Sequence, residues 1–191
     1  MSTKPIDGGR QTGLTLIELI VFIVIVGVGV AGITLTYNTV VRRSADPMIR
    51  KQALSIAESL LLEIEQQPFT WCDPQDANVA TATSAGGCAT NNQSSLVGPS
   101  PGSETRGSNT DPFDNVADYG GMTNVAASDI MGGNAVAGYT ATVRITQAGG
   151  VAPFAGIPAD AVLRIAVTVS GPGETVTLVG YRLRYAPNAA G

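Results

Sequence analysis

The sequence predicts an α+β chain in which one long N-terminal helix packs on a C-terminal antiparallel β-sheet. Three observations carry this. An apolar run from Leu19 to Val41 contains no charged residue. Apolar residues then recur at threes and fours from Ile49 to Ile64. Three segments near the C-terminus alternate apolar and polar residues with a period of two. A period near 3.6 residues marks a helix with one apolar face, and a period of two marks a half-buried strand.

The apolar run holds 23 residues, which as a helix extend roughly 35 Å and suffice to cross a hydrocarbon core of about 30 Å. Gly27, Gly29 and Gly32 lie inside it. Each lowers intrinsic helicity in water by about 1 kcal/mol, but lipid offers the backbone no other partner, and glycines can let helices approach closely. Beyond it, Ile49, Ala53, Ile56, Ala57, Leu60, Leu61 and Ile64 form an apolar stripe, with Lys51, Glu58, Ser59, Glu63 and Gln66 largely on other faces. Asp46-Pro47 predicts a kink or short break, because proline lacks an N–H and disfavours helical geometry before it. Pro68 ends the helix, which is expected over residues 14–67.

Residues 69–137 are rich in Gly, Ser, Asn, Ala, Thr and Pro. A structureless loop of that length is unusual in a compact domain, so short helices or a strand are expected inside it. Phe113, Val116 and Tyr119, three residues apart, predict one helical turn that pins it to the core. The strands follow: Tyr139, Ala141, Val143 and Ile145; Leu163, Ile165, Val167 and Val169; and Val179, Tyr181, Leu183 and Tyr185. Gly171-Pro172-Gly173-Glu174 joins the last two as a hairpin. One sheet face should pack on the helix, since neither layer buries its apolar side alone.

Composition narrows the function classes. The 191 residues carry 11 basic and 15 acidic side chains and no histidine. An acidic chain is poorly suited to bind nucleic acid through phosphate contacts. Without histidine it lacks the commonest general base and a frequent zinc ligand, so no enzymatic activity and no cofactor are expected. The apolar run exceeds the usual length of a secretory signal's core and ends without a small-x-small cleavage site. An ordinary single-span anchor explains the length but leaves Glu18 without a reason. A lone carboxylate at the edge of such a helix is costly to bury and calls for a partner. A free α-amine at Leu14, released by cutting after Gly13, would supply one.

Gly13-Leu14-Thr15-Leu16-Ile17-Glu18-Leu19-Ile20 resembles the cleavage and assembly motif of type IV pilins and type II secretion pseudopilins. In that family a dedicated peptidase cuts after the glycine and methylates the new amine, and the glutamate at the fifth mature position supports docking into a helical filament. Carried across, Gly13 closes the leader, Leu14 is methylated and Glu18 is the docking glutamate. Leucine stands where phenylalanine is commoner. The resemblance implies the pilin ladle fold and a division into a leader (1–13), a membrane and filament-core half-helix (14–41), an amphipathic half-helix (42–67) and a globular head (68–191) with its loop region at 69–137 and its sheet at 138–186. It places the chain in a bacterial inner membrane with a periplasmic head, and then in an extracellular pilus. Its partners would be other major and minor pilins, the prepilin peptidase and the inner-membrane assembly platform. Arg42, Arg43, Arg50 and Lys51 beyond the span point the other way under the positive-inside rule, and Asp46 offsets part of that cluster.

Within the family, residues 53–64, Pro68-Phe69, Cys72-Asp73-Pro74 and 113–119 are similar to a minor pilin of the mannose-sensitive haemagglutinin pilus system. A minor pseudopilin of a type II secretion filament is one alternative. A membrane-anchored module that binds surfaces, glycans or DNA is another. With the head exported to an oxidising compartment, Cys72 and Cys88 are expected to pair, two free buried cysteines being the alternative; a catalytic thiol has no histidine to activate it. Asp111, Asp114 and Asp118 lie close enough in sequence to be weak calcium candidates, with turn and capping roles as the alternative. Trp71 and Tyr119 are candidates for subunit contact or, for Trp71, for anchoring beside the cysteines.

Overall fold

The computed structural model describes Gly13 and residues 15–189, without the side chains of residues 39 and 41–46. The expectations for Leu14 and for residues 1–12 of the leader lie outside the described residues. The chain divides into two units, Met1–Ala45 and Asp46–Gly191, and helix α1, Leu16–Gln66, contributes to both. The backbone is helical through Pro47 without interruption, so the break expected at Asp46-Pro47 is absent.

In the first unit α1 buries nothing. Leu16–Asn38 is 23 residues long with mean hydropathy 2.8, enough to cross a membrane by length and composition. Two of its hydroxyls are satisfied within the helix: Thr34 donates to the Val30 carbonyl at 2.8 Å and Thr36 to the Gly32 carbonyl at 3.0 Å. Such back-bonding suits polar side chains in an apolar medium. A methyl group on Gly27, Gly29 or Gly32 would meet nothing within 4 Å. Among the described residues no contact uses the space these glycines leave.

The second unit is an α+β domain. The remainder of α1 turns Ala53, Ala57, Leu60 and Ile64 into the core, all buried, with Ile49, Ile56 and Leu61 partly buried beside them. These are the stripe residues of the sequence. At the helix end the Arg182 guanidinium donates to the Gln67 carbonyl at 2.9 Å, filling an acceptor that helix geometry leaves open.

Facing α1 is a four-stranded antiparallel sheet in the order β1-β2-β3-β4. Its strands are β1 (Val125–Ala126), β2 (Thr140–Gln147), β3 (Val162–Gly171) and β4 (Glu174–Leu183). The short β1 is the strand expected within the loop region. Ala141, Val143 and Ile145 of β2 and Leu163, Ile165, Val167 and Val169 of β3 are buried, as the alternation predicts. The hairpin turns at Pro172-Gly173, between paired Gly171 and Glu174. Gly173 sits at φ +81°, left-handed backbone that a Cβ would strain.

The outer strand corrects one expectation. Val179, Tyr181 and Leu183 lie on the outward side of β4 and are each about 40% exposed, while Val176, Leu178 and Gly180 face α1. Both parities of this strand carry apolar residues, so alternation leaves its facing undetermined and the tight hairpin sets it. Gly180 is the reason the inner set fits. A methyl group there would overlap the Glu65 carboxylate and press on Leu61, so the helix approaches the strand where no side chain intervenes.

Candidate functional site

At the N-terminus, Thr15 caps α1. Its carbonyl accepts from the Glu18 and Leu19 amides at 3.1 and 3.2 Å, and its hydroxyl accepts from the Glu18 amide at 3.4 Å. Thr15 and Glu18 therefore stand at the spacing of a capping box. A carboxylate in the first turn also complements the positive end of the helix dipole. These roles place Glu18 but leave its charge unpaired: no side-chain partner for its carboxylate occurs among the described residues.

The head's loop region is held by three devices. The first is the Cys72–Cys88 disulfide, spanning 16 residues with its Cα atoms 5.4 Å apart. The second is the Asp76 carboxylate inside that loop. It accepts backbone N–H groups from Ala89 at 2.9 Å, Asn78 at 2.9 Å, Thr90 at 2.7 Å and Asn91 at 3.0 Å. These donors, Ala89 foremost, hold it well below the usual carboxylate range. Its contribution to stability is therefore present above the ordinary value of 3.8 and is lost as the pH falls below it. Asp76-x-Asn78 is a local signal of this turn; the closure onto residues 89–91 has none.

The third device ties the loop region to α1. Arg106 forks onto Glu63, with Nε to Oε1 at 2.7 Å and Nη2 to Oε2 at 2.6 Å. The Tyr119 hydroxyl donates to the same Glu63 Oε1 at 2.9 Å and accepts from Gln67 at 3.3 Å. Tyr119 lies in the helical turn Val116–Tyr119, edge-on to Phe113 with ring centroids 5.1 Å apart. The turn predicted from Phe113, Val116 and Tyr119 is thus present. Tyr119 itself is buried and offers no surface for subunit contact. Arg106→Ala would leave Glu63 largely desolvated and short of a counter-charge. It is expected to destabilise the head by about 3 kcal/mol, read as a lower denaturant midpoint with an unchanged slope.

Trp71 anchors rather than projects. Its ring and that of Phe69 enclose the Arg184 guanidinium at 3.6 and 3.9 Å. Burial lowers the Arg184 pKa to about 10.

The aspartates 111, 114 and 118 do not converge. Asp118 closes a capping box, accepting the Asn115 amide at 2.7 Å while Asn115 accepts from Ala117. Asp111 accepts from the Ser103 hydroxyl at 2.8 Å. Asp114 instead meets Asp73 and Glu104, and the three present carboxylate oxygens within 4.8 Å of one another. Burial, and then the neighbouring acids Asp73, Asp118 and Asp114, push Glu104 up to about 9. Burial likewise raises Asp118 to about 6. Glu104 also lines a cavity of about 540 Å³ with Arg106, Phe113, Asp118, Met122 and Val125. Neither Asp73 nor Glu104 was singled out by the sequence, where one is an aspartate beside a cysteine and the other a lone glutamate in a Gly- and Ser-rich loop.

Residues 8–34 match the prokaryotic N-terminal methylation motif, a motif typical of type IV pilin and pseudopilin-like proteins. The match covers Gly13, Leu14, Glu18 and the first part of the apolar helix. The head lies beyond it, and its α+β architecture, a long N-terminal helix packed on a C-terminal antiparallel sheet, matches the pilin fold. No curated protein and no solved structure matches the chain.

Proposed function

We propose that this chain is a minor pilin: a filament subunit cut between Gly13 and Leu14, methylated on the new amine, and docked through Glu18 into a type IV pilus. The observation that carries the proposal is the methylation motif over residues 8–34 joined to a 23-residue apolar helix that buries none of itself within its own chain. Such a surface needs lipid before assembly and neighbouring helices after it. The three glycines, whose open side meets nothing among the described residues, suit close packing in that bundle. The role is structural rather than catalytic. The partners are other pilins, the prepilin peptidase and the inner-membrane assembly platform, and the head faces the periplasm before export.

The segments 53–64, 68–69, 72–74 and 113–119 resemble the minor pilin MshD, and that resemblance supports a pilus of the mannose-sensitive haemagglutinin type. There it would act in initiating, assembling or capping the filament, with a possible part in surface attachment. The test is to shear surface filaments from cells with and without the prepilin peptidase and to probe for this chain. It should co-purify with haemagglutinin-type pili at low stoichiometry, and only from cells that hold the peptidase. Recovery with secretion-system pseudopili instead would reassign it to the type II machinery, and retention in the membrane under both conditions would overturn the filament role.

A further inference from the structure

Asp73, Glu104 and Asp114 come from three separate stretches of the loop region, yet their oxygens converge within 4.8 Å. Gln75 organises two of them. Its amide donates to Asp73 Oδ1 at 2.8 Å and its side-chain Nε2 to Asp114 Oδ2 at 2.5 Å. That leaves Asp73 Oδ2 and Asp114 Oδ1 buried without a hydrogen-bond partner. Glu104 supplies a further observation. It is only 3% exposed, and both of its carboxylate oxygens lack a partner. Four oxygens on these three carboxylates are thus buried without a hydrogen-bond partner among the described residues, and one oxygen from each residue lies within 4.8 Å of the others. The adjacent guanidinium of Arg106 is committed to Glu63. Buried acceptors are ordinarily satisfied, and this set is completed either by a proton held on Glu104, whose carboxyl burial pushes up to about 9, or by a cation that displaces that proton.

We propose that Asp73, Glu104 and Asp114 form a calcium site that clamps the loop region of the head. The donor set is oxygen only: the chain has no histidine, and both cysteines are in the disulfide. That excludes the soft ligands zinc and copper prefer. Oxygens within 4.8 Å of one another lie inside the span of two opposed Ca–O bonds of about 2.4 Å, and carboxylates drawn from three loop segments suit calcium's flexible shell better than the near-ideal octahedron magnesium demands. Waters would complete a calcium shell of six to eight oxygens. The ion would join the residue after Cys72, the 100–106 segment and the start of the helical turn, three pieces of chain that share no strand pairing.

The experiment uses the full chain in detergent, stripped with a chelator and dialysed against radiolabelled calcium, with a parallel thermal melt. One ion per chain, saturable uptake and a melting temperature that climbs with calcium are expected. Glu104→Gln should weaken binding at least about tenfold by removing a charged ligand. Its metal-free melting temperature should equal or exceed that of the parent, because glutamine keeps the side chain's length and adds an amide donor for the neighbouring carboxylates. That second readout separates a lost site from a lost fold. Asp111→Asn, outside the cluster, should bind as the parent does. No uptake above the detergent background by the folded parent, unchanged affinity in Glu104→Gln, or magnesium binding as tightly as calcium would each overturn the proposal.

Discussion

Glu18→Gln is expected to enter the membrane normally and to fail in assembly. Glutamine keeps the length of the side chain and can still serve the Thr15 capping box, so α1 should start at the same residue. Removing the charge also makes the apolar segment easier to insert. The variant lacks only the charge that would meet an α-amine at the head of a neighbouring or its own helix. Leaving a charged amine unpaired among packed apolar helices costs about 3 kcal/mol, on the order of 100-fold in the docking equilibrium. Protease accessibility of the head in spheroplasts should match the parent. The sheared-filament fraction should lose the subunit. If Glu18→Gln enters filaments at the parental level, the carboxylate acts through capping and the docking role is wrong. Glu18→Ala, which removes the charge and the capping group together, should be no better than glutamine.

Loss of the Cys72–Cys88 bridge is the second large effect. Cross-linking a 16-residue loop is worth about 3 kcal/mol in the chain-entropy model. For a head of this size that corresponds to roughly a 10 °C fall in melting temperature. The damage should be local. Residues 69–137 lean on the bridge, the Asp76 turn and the Arg106–Glu63 pair, whereas the sheet and α1 bury each other's apolar faces directly. Cys72→Ser with Cys88→Ser should therefore speed proteolysis within residues 69–137 well before the sheet is cut. The freshly isolated parent should resist thiol labelling until reductant is added. An unchanged melting temperature in the double variant would show that the other two devices suffice to hold the loop.

The parts of the fold legible in the sequence are those set by short-range periodicity. The stripe from Ile49 to Ile64 could only be a helix face. Ala141, Val143 and Ile145 could only be one face of a strand, and Phe113, Val116 and Tyr119 are spaced as a turn. Where local pattern is symmetrical, legibility ends. In β4 the inward set is Val176, Leu178 and Gly180, and the more conspicuous Val179, Tyr181 and Leu183 lie outside, because the hairpin register and the missing side chain at Gly180 decide the facing. Pro47 carries a strong local signal for a break, yet the helix runs through it.

The site divides along the same line. Gly13, Leu14 and Glu18 lie close together at fixed spacing, so the motif is readable without a fold. The acid cluster is assembled by loop closure across residues 73, 104 and 114, and no period or spacing announces it. Proximity in sequence pointed instead to Asp111 and Asp118, whose oxygens turn to local hydroxyl and amide donors.

The central claim is that this chain is processed at Gly13-Leu14 for filament assembly. The most direct measurement is intact-mass and N-terminal peptide mass spectrometry of the chain recovered from membranes and from sheared filaments. The expected result is a mature protein that begins at Leu14 and carries one methyl group on its amine. Mature, filament-associated protein that still holds residues 1–13 would contradict it.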